Sequence, residues 1–319
     1  MALEFSSRKE TFPNYRVWET TLAGRPFVVE TGKMCGLSNG SCLVRYGETV
    51  VLCNVTMSEK PREGIDFFPL SVEFEEKLYA VGRIPGSFMR REGRPGEKAI
   101  LTSRVVDRPI RPLFPKEMRN DVCVTMTVMS VDQDCSPEIA GMIGTSIALS
   151  ISEIPWKGPI GGVFMGLVDG QLVVNPTLEQ RQNSDLQLTV AATMNKIVMI
   201  EAGANEVDEA TMLEAIKMAH GEIKKIIAFI NGIVAEIGKP KIDFVSMDLD
   251  YDLFTKIRAE YLDDFKAAMD TDDKNVRDAR LLPIQDKLEA EYPDLDDATV
   301  GLIMYKMQKY VVRRWLLDD

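Results

Sequence analysis

The side chains best suited to chemistry lie between Lys77 and Lys116. Ten bases (Lys77, Arg83, Arg90, Arg91, Arg94, Lys98, Arg104, Arg108, Arg111, Lys116) stand there against three acids, Glu92, Glu97 and Asp107. The 319-residue chain as a whole carries a formal charge of −11, so the remainder is strongly acidic. A surface of that sign repels polyanions, and arginine gathered in one segment would still hold a phosphate backbone at one chosen place. Seven of the ten bases are arginine, whose planar guanidinium pairs bidentately with phosphate and stacks on bases. Inside this segment, Gly82–Gly96 (GRIPGSFMRREGRPG) holds too much Gly and Pro for a regular helix or strand and reads as a loop. It sets Phe88 and Met89 beside Arg90 and Arg91, with Arg83 and Arg94 flanking. Apolar faces next to guanidinium groups suit single-stranded nucleic acid, whose bases stack while its phosphates pair with arginine. The same composition also describes a solvated loop with Phe88 tucked into the core.

Other catalytic constellations are missing. There is no GxxxxGK[ST] phosphate loop, no HExxH and no GxSxG. His220 is the one histidine and falls within a helical period, where a structural role fits better than base catalysis. Five cysteines (Cys35, Cys42, Cys53, Cys123, Cys135) form no CxxC pair, and with one histidine they are poor zinc ligands. Reduced thiols of a cytoplasmic protein are expected, with Cys53 and Cys123 in the core. The N-terminal text has no apolar signal-peptide region, and no apolar run reaches the ~18 residues of a membrane span.

The elements that must position the arginines follow from turns and periodicity. Hairpins are expected around Ala23-Gly24, Tyr46-Gly47-Glu48 and Asp169-Gly170, and strands at Phe67–Phe74 and Val122–Val131. Glu97–Arg108 has helical character, with Ile100, Leu101 and Val105 as its apolar stripe and Pro109 and Pro112 as its stop. Arg104 and Arg108 are four apart on one face, able either to clamp adjacent phosphates or to pair with Glu97 or Asp107. Ala140–Ile151 reads as a small-residue helix against a sheet. Asp208–Ile237 carries a clear 3.6-residue period. Beyond Pro240 the strand signal ends, and Leu249–Ala268, Asn275–Glu291 and Asp297–Leu316 read as three helices of an acidic bundle. The expected organisation is an extension at 1–14, a mixed α/β domain at 15–240 and an all-α domain at 241–319.

The run FFPLSVEFEEKLYAVGRIPGSFMRREGRP, then LTSRVVDRPIRPLFP, SPEIAGMIGTSIALSISEIP, GPIGG and VVNPT, closely resembles the first, non-catalytic core of bacterial polynucleotide phosphorylases. The resemblance implies an RNase PH-like core of the ribosomal protein S5 domain 2-like class, with mixed sheets, followed by the family's helical linker domain. It implies phosphorolysis of RNA from the 3′ end to nucleoside diphosphates, with inorganic phosphate as co-substrate and Mg²⁺ in a second core. That core, with KH and S1 domains after it, is expected to begin about where this sequence ends. Implied partners are single-stranded RNA, two further copies in a trimeric ring, and RNA degradosome proteins, with no membrane.

Residue by residue, the resemblance makes Phe88, Met89, Arg90 and Arg91 the channel loop, supported by Arg83 and Arg94. Arg104, Arg108 and Arg111 fall on the RNA and phosphate path between the two cores. It also implies that this core holds no catalytic and no metal-binding residue. Where catalytic cores have a serine-rich phosphate loop, this chain reads Cys135-Ser136-Pro137-Glu138; where they have two aspartates and a lysine, it has Arg181, Gln187 and Thr189. Asp185 nearby reads as a turn residue. Met89 stands where the family often has a second Phe, and Phe164 where it commonly has Arg. The alternative is a stand-alone RNA-binding or ring-scaffold protein of the same fold. A metabolic enzyme acting on phosphate esters is disfavoured, because no acid/base pair accompanies the arginines.

Overall fold

The computed structural model describes residues 12–318 apart from 63, 66, 87, 247 and 248. The expected extension therefore falls almost wholly outside the described residues. The chain divides into two compact units, Met1–Val245 and Ser246–Asp319.

Turn chemistry builds the first sheet. Ala23 and Gly24 (φ 49° and 75°) close a hairpin between β1 (Arg16–Leu22) and β2 (Arg25–Thr31), a left-handed pair that matches strand twist. Strand β3 (Gly40–Tyr46) turns through Gly47 into β4 (Thr49–Pro61), which pairs antiparallel with β6 (Asn120–Ser130). Strand β5 (Leu70–Glu76) instead runs parallel to β6, completing the order β1-β2-β3-β4-β6-β5. Parallel neighbours need a crossover rather than a tight turn. Here that crossover carries the basic loop and helix α1 (Glu97–Ile110), so one parallel pair fixes where the arginines emerge. Strand β5 starts later than expected because Phe68 leaves the ladder to pack on Phe114, ring centroids 4.8 Å apart.

The second sheet, β10-β9-β7-β8, is antiparallel throughout. Its strands are β7 (Gly161–Val168), β8 (Gln171–Val174), β9 (Leu186–Ala192) and β10 (Ile197–Ala204). Between the sheets in sequence comes α2 (Pro137–Ile151), buried at every position from Ile139 to Ile151. A short α3 (Leu178–Gln182), closed by a Thr177/Gln180 capping box, was not expected from the sequence. Helix α4 (Glu209–Ile237) starts at Asp208, whose side chain accepts from Thr211 N. Its isoleucines Ile223, Ile227, Ile230 and Ile233 join the same core.

Helix α2 lies on the first sheet at backbone distance. A Cβ on Gly144 would sit 2.5 Å from Cys53 Sγ and 2.9 Å from Val44 Cγ2. The Cys42 thiol donates to Gly144 O at 3.2 Å and that of Cys53 to Gly141 O at 3.7 Å. The Cys53 thiol beside it, together with burial, pushes the Cys42 thiol well above its ordinary value. Cys42 therefore stays protonated, and both thiols act as packing groups. Cys123, expected in the core, is only half-buried, because it points to the sheet face away from α2; Cys135 is buried instead. At the far end of α2, Lys241 Nζ reaches Leu149 O, Ser150 O and Ser152 O at 2.8, 3.1 and 2.6 Å. Burial lowers this amine to about 8.

The second unit is three helices, α5 (Tyr251–Met269), α6 (Lys274–Glu291) and α7 (Asp297–Asp318), around Ile257, Tyr261, Phe265, Leu288, Ile303 and Met307. Asp250 and Asp273 cap α5 and α6, which gives part of its acidity a structural use. Among the described residues no helix is long and apolar enough to cross a membrane.

Gly144→Ala should cost about 1–3 kcal/mol of stability by overpacking the α2–sheet contact. Gly232→Ala, on exposed α4 with open space around it, should instead stabilise by up to about 1 kcal/mol. Urea unfolding followed by circular dichroism reads both.

Candidate nucleic-acid interface and the adjoining cleft

The basic loop leaves a 3₁₀ turn at Leu78–Val81 through Gly82, whose φ of 70° reverses the chain. Its far limb is tied back by Glu92, whose carboxylate accepts from Leu78 N at 3.0 Å. Between these anchors Phe88 is 102% exposed and Met89 66% exposed, so the alternative of Phe88 in the core does not hold. Arg90 takes a left-handed φ of 51°, a conformation that is unfavourable for a residue other than Gly. Arg83, Arg90, Arg91 and Arg94 are exposed, and none has a carboxylate partner among the described residues.

The three arginines of α1 separate. Arg104 is exposed and unpaired among the described residues. Arg108 Nη1 meets Glu201 Oε2 on β10 at 3.0 Å, both side chains about half exposed. Arg111 grips Asp107 with two bonds of 2.9 and 2.6 Å and donates to Phe68 O and Leu70 O at 3.3 and 3.1 Å. Asp107 thus serves Arg111 rather than Arg104 or Arg108. The buried stripe is also corrected: Ala99, Thr102, Val106, Pro109 and Ile110 face inward, while Ile100 and Leu101 are more than half exposed. The helix runs through Pro109, and the Trp156 indole N–H caps Ile110 O at 3.0 Å, which sets its rotation.

Beside α1 lies a cleft of about 510 Å³. Its lining brings together Glu138 from the first turn of α2, Arg181 from α3, Gln187 and Thr189 from β9, and Phe164 from β7. All but Phe164 are positions at which the resemblance places phosphate- and metal-binding groups; at Phe164 it places a channel arginine. Glu138 receives a hydrogen bond from the Ser136 hydroxyl, and Lys98 Nζ lies 3.4 Å from its other oxygen. Arg181 donates to Gln133 O, and its buried Nε has no partner among the described residues. Phe164 is fixed from behind: its N–H donates to Asn175 Oδ1 at 2.8 Å, and Asn175 Nδ2 donates to Tyr46 Oη at 3.1 Å. Arg25 joins that network through Tyr46 Oη and Asn175 O, at 3.2 and 3.0 Å.

A divalent cation needs several oxygen ligands, carboxylates above all. The facing positions hold a guanidinium, an amide and a hydroxyl, and the two acids of the lining, Glu138 and Glu201, are already paired with Lys98 and Arg108. This donor set does not fit Mg²⁺. Asp185 acts as a turn residue, bonded through its N–H to Leu167 O and through its carbonyl to Asn205 N, both at 2.9 Å. His220 Nε2 lies 3.1 Å from Thr193 O and steadies the β9–β10 turn. The pairings Arg108–Glu201 and Lys98–Glu138 escaped the sequence reading, since residues so far apart in the chain leave no local signal.

Residues 23–155 match domain 1 of the 3′ exoribonuclease family, and residues 158–222 match its domain 2. The chain belongs to the 3′ exoribonuclease family. It is 53% identical over 309 residues to the polyribonucleotide nucleotidyltransferase of Ruminiclostridium cellulolyticum, covering 96% of this chain and 44% of that protein. It is 56% identical over 260 residues to that of Clostridioides difficile, covering 82% of this chain and 37% of that protein. The chain therefore spans less than half the length of these curated relatives. Among solved structures, rice (Oryza sativa) Rrp46 superposes with a TM-score of 0.53 at 15% identity, over 69% of this chain and 94% of that one. That likeness concerns the fold alone: an α/β RNase PH-like core, followed here by helices.

The two kinds of arginine on α1 should separate by experiment. Arg111→Met should lower stability by about 1 kcal/mol and leave RNA affinity unchanged. Arg104→Ala should do the reverse, read by chemical denaturation alongside fluorescence-anisotropy titration with single-stranded RNA.

Proposed function

We propose that this chain is the RNA-gripping, non-catalytic part of a polyribonucleotide nucleotidyltransferase. The reading rests above all on the basic loop, where four unpaired arginines surround an outward-facing Phe88 and Met89 on an otherwise acidic protein. Arg90 and Arg91, with Arg83 and Arg94, neutralise phosphates, while Phe88 and Met89 offer bases a surface to lie against. Arg104 extends that track along α1, and Arg108 and Arg111 border it. Recognition of this kind reads backbone and stacking, so little sequence preference is expected.

On this reading residues 15–240 form the first core and 241–319 the linker domain, acting in a ring of three cytoplasmic chains. The partner core would supply the chemistry: orthophosphate attacks the terminal phosphodiester in line, the bond to the penultimate 3′-oxygen breaks, and a nucleoside diphosphate leaves a shortened RNA with a free 3′-hydroxyl; a Mg²⁺ held there would neutralise developing charge. The cleft of this chain takes no part in that step, because Arg181, Gln187 and Thr189 offer no carboxylate to a metal. KH and S1 domains, and degradosome proteins, belong to the same proposal as further partners.

Arg90→Ala with Arg91→Ala should weaken binding of a single-stranded RNA at least tenfold and reduce the slope of log affinity against log salt by about one to two. Unchanged binding would move the RNA site elsewhere. Incubated alone with 3′-tailed RNA, orthophosphate and Mg²⁺, the chain should release no nucleoside diphosphate. Phosphate-dependent product from material free of host enzyme would place an active site within it. A chain that binds RNA, stays inactive and forms rings of its own would favour the scaffold alternative.

A further inference from the structure

A second concave site, sharing no residue with the cleft, lies where the loop Gly32–Asn39 (GKMCGLSN) joins β2 to β3. It encloses about 470 Å³. The loop is pinned at both ends by close backbone approach: a Cβ on Gly32 would sit 2.0 Å from Asn14 O, and one on Gly40 2.3 Å from Ala148 O. Two hydroxyls brace it from within, Ser38 Oγ donating to Cys35 O at 2.7 Å and Ser41 Oγ to Met34 O at 3.0 Å. Gly32 and Cys35 take left-handed φ values of 78° and 55°. Kinked backbone of this kind gathers successive N–H groups around a concavity.

Most of the loop's N–H groups meet no acceptor among the described residues. Ser38 N donates to Cys35 O at 3.0 Å, whereas those of Lys33, Met34, Cys35, Gly36, Leu37 and Asn39 have no acceptor among the described residues. Three cations from separate parts of the chain line the same pocket: Arg16 on β1, Lys33 on the loop and Lys239 beyond α4. Of the carboxylates nearby, Glu153 is taken by Lys239 at 2.9 Å. Glu30 is taken by Arg45 at 3.1 Å and by Tyr15 at 2.8 Å, and it also feels Lys33. Arg16 gives one nitrogen, Nη1, to Pro13 O and Tyr15 O and has no ion pair among the described residues. Lys33 likewise has none; its amine lies over the Phe12 ring. Leu37, fully exposed, stands on the loop.

Amides without an acceptor among the described residues, and two cations without an ion pair, gathered about one hollow, suit a phosphate group. We propose that this pocket binds a phosphate group, either in an RNA backbone or free as orthophosphate, independently of the Gly82–Gly96 loop. Titrating the isotopically labelled chain with inorganic phosphate at constant ionic strength tests this by amide resonance shifts. Resonances of Lys33–Asn39 should move saturably. Arg16→Ala with Lys33→Ala should weaken the apparent affinity about tenfold with the rest of the spectrum in place, and Arg90→Ala with Arg91→Ala should leave it unaltered. A short oligoribonucleotide separates the sources: movement of the same amides at lower concentration assigns the RNA backbone, and movement with orthophosphate alone assigns the free ion. Shifts that do not saturate, that chloride reproduces, or that survive the Arg16 and Lys33 substitutions would overturn the proposal.

Discussion

Helix α2 is buried on every side, and the rest of the first unit is arranged around that constraint. A helix that dry must satisfy its terminal backbone groups without water and must meet its neighbours without gaps. Its sequence does the second with Gly141, Gly144, Ala140 and Ala148 on the close contacts and Ile143, Ile147 and Leu149 filling between. Small residues lose little side-chain entropy on burial, so close approach is gained at low cost. The thiols of Cys42 and Cys53 sit against the carbonyls those glycines expose. A larger residue at either glycine would lift the helix off the sheet and disturb both ends at once. At one end, Lys241 offers three N–H donors to three carbonyls; at the other, Ser136 and Glu138 cap the first turn.

Charge is distributed on the same logic of partners. An exposed ion pair contributes at most about 1 kcal/mol, so an arginine left unpaired on the surface forgoes little stability. Arg111 is the exception within its cluster, since it holds Asp107 bidentately and also two carbonyls that lead into β5. It belongs to the fold. Arg83, Arg90, Arg91, Arg94 and Arg104 belong to whatever they meet outside it. Arg108 lies between these cases, tethered by Glu201 through one nitrogen and still offering its other donors.

Much of this was legible in the sequence because it depends on local chemistry. Ala23-Gly24 and Asp169-Gly170 announce hairpins, and the isoleucines of α4 announce its buried face. Gly and Pro around Phe88 announce a loop, but whether its aromatic ring is buried or exposed is left open by the sequence and decided by the fold. The α1 stripe misled because two apolar sets coexist on that helix. Ile100 and Leu101 look like a core face, yet the set at 99, 102, 106 and 109–110 fits the same period, and only the Trp156 contact to Ile110 chooses between them. The cleft was legible as a set of replaced residues but not as a place, because its members come from α2, α3, β7 and β9 and meet only in the fold. The Gly32–Asn39 loop carries no motif in the sequence, because backbone N–H groups without an acceptor leave no trace in residue types.

The two hollows of the first unit then differ by one physical feature, whether the anion is built in. In the cleft, the positive end of α2 faces a carboxylate of its own chain. Glu138 is held there by the Ser136 hydroxyl and approached by Lys98, so the field that would attract an oxyanion is already met. Pro137 removes one further donor from that turn. An incoming phosphate would have to displace a tethered carboxylate whose effective concentration is very high. In the Gly32–Asn39 loop the nearest acids are paired, Glu153 with Lys239 of the pocket itself and Glu30 with Arg45, while Arg16 and Lys33 have no ion pair and six amides have no acceptor among the described residues. Identical chemistry on the donor side therefore leads to opposite outcomes. A charge of the chain's own closes one hollow to anions, whereas in the proposed site the carboxylates are spent on Lys239 and Arg45 and leave Arg16 and Lys33 for an incoming anion.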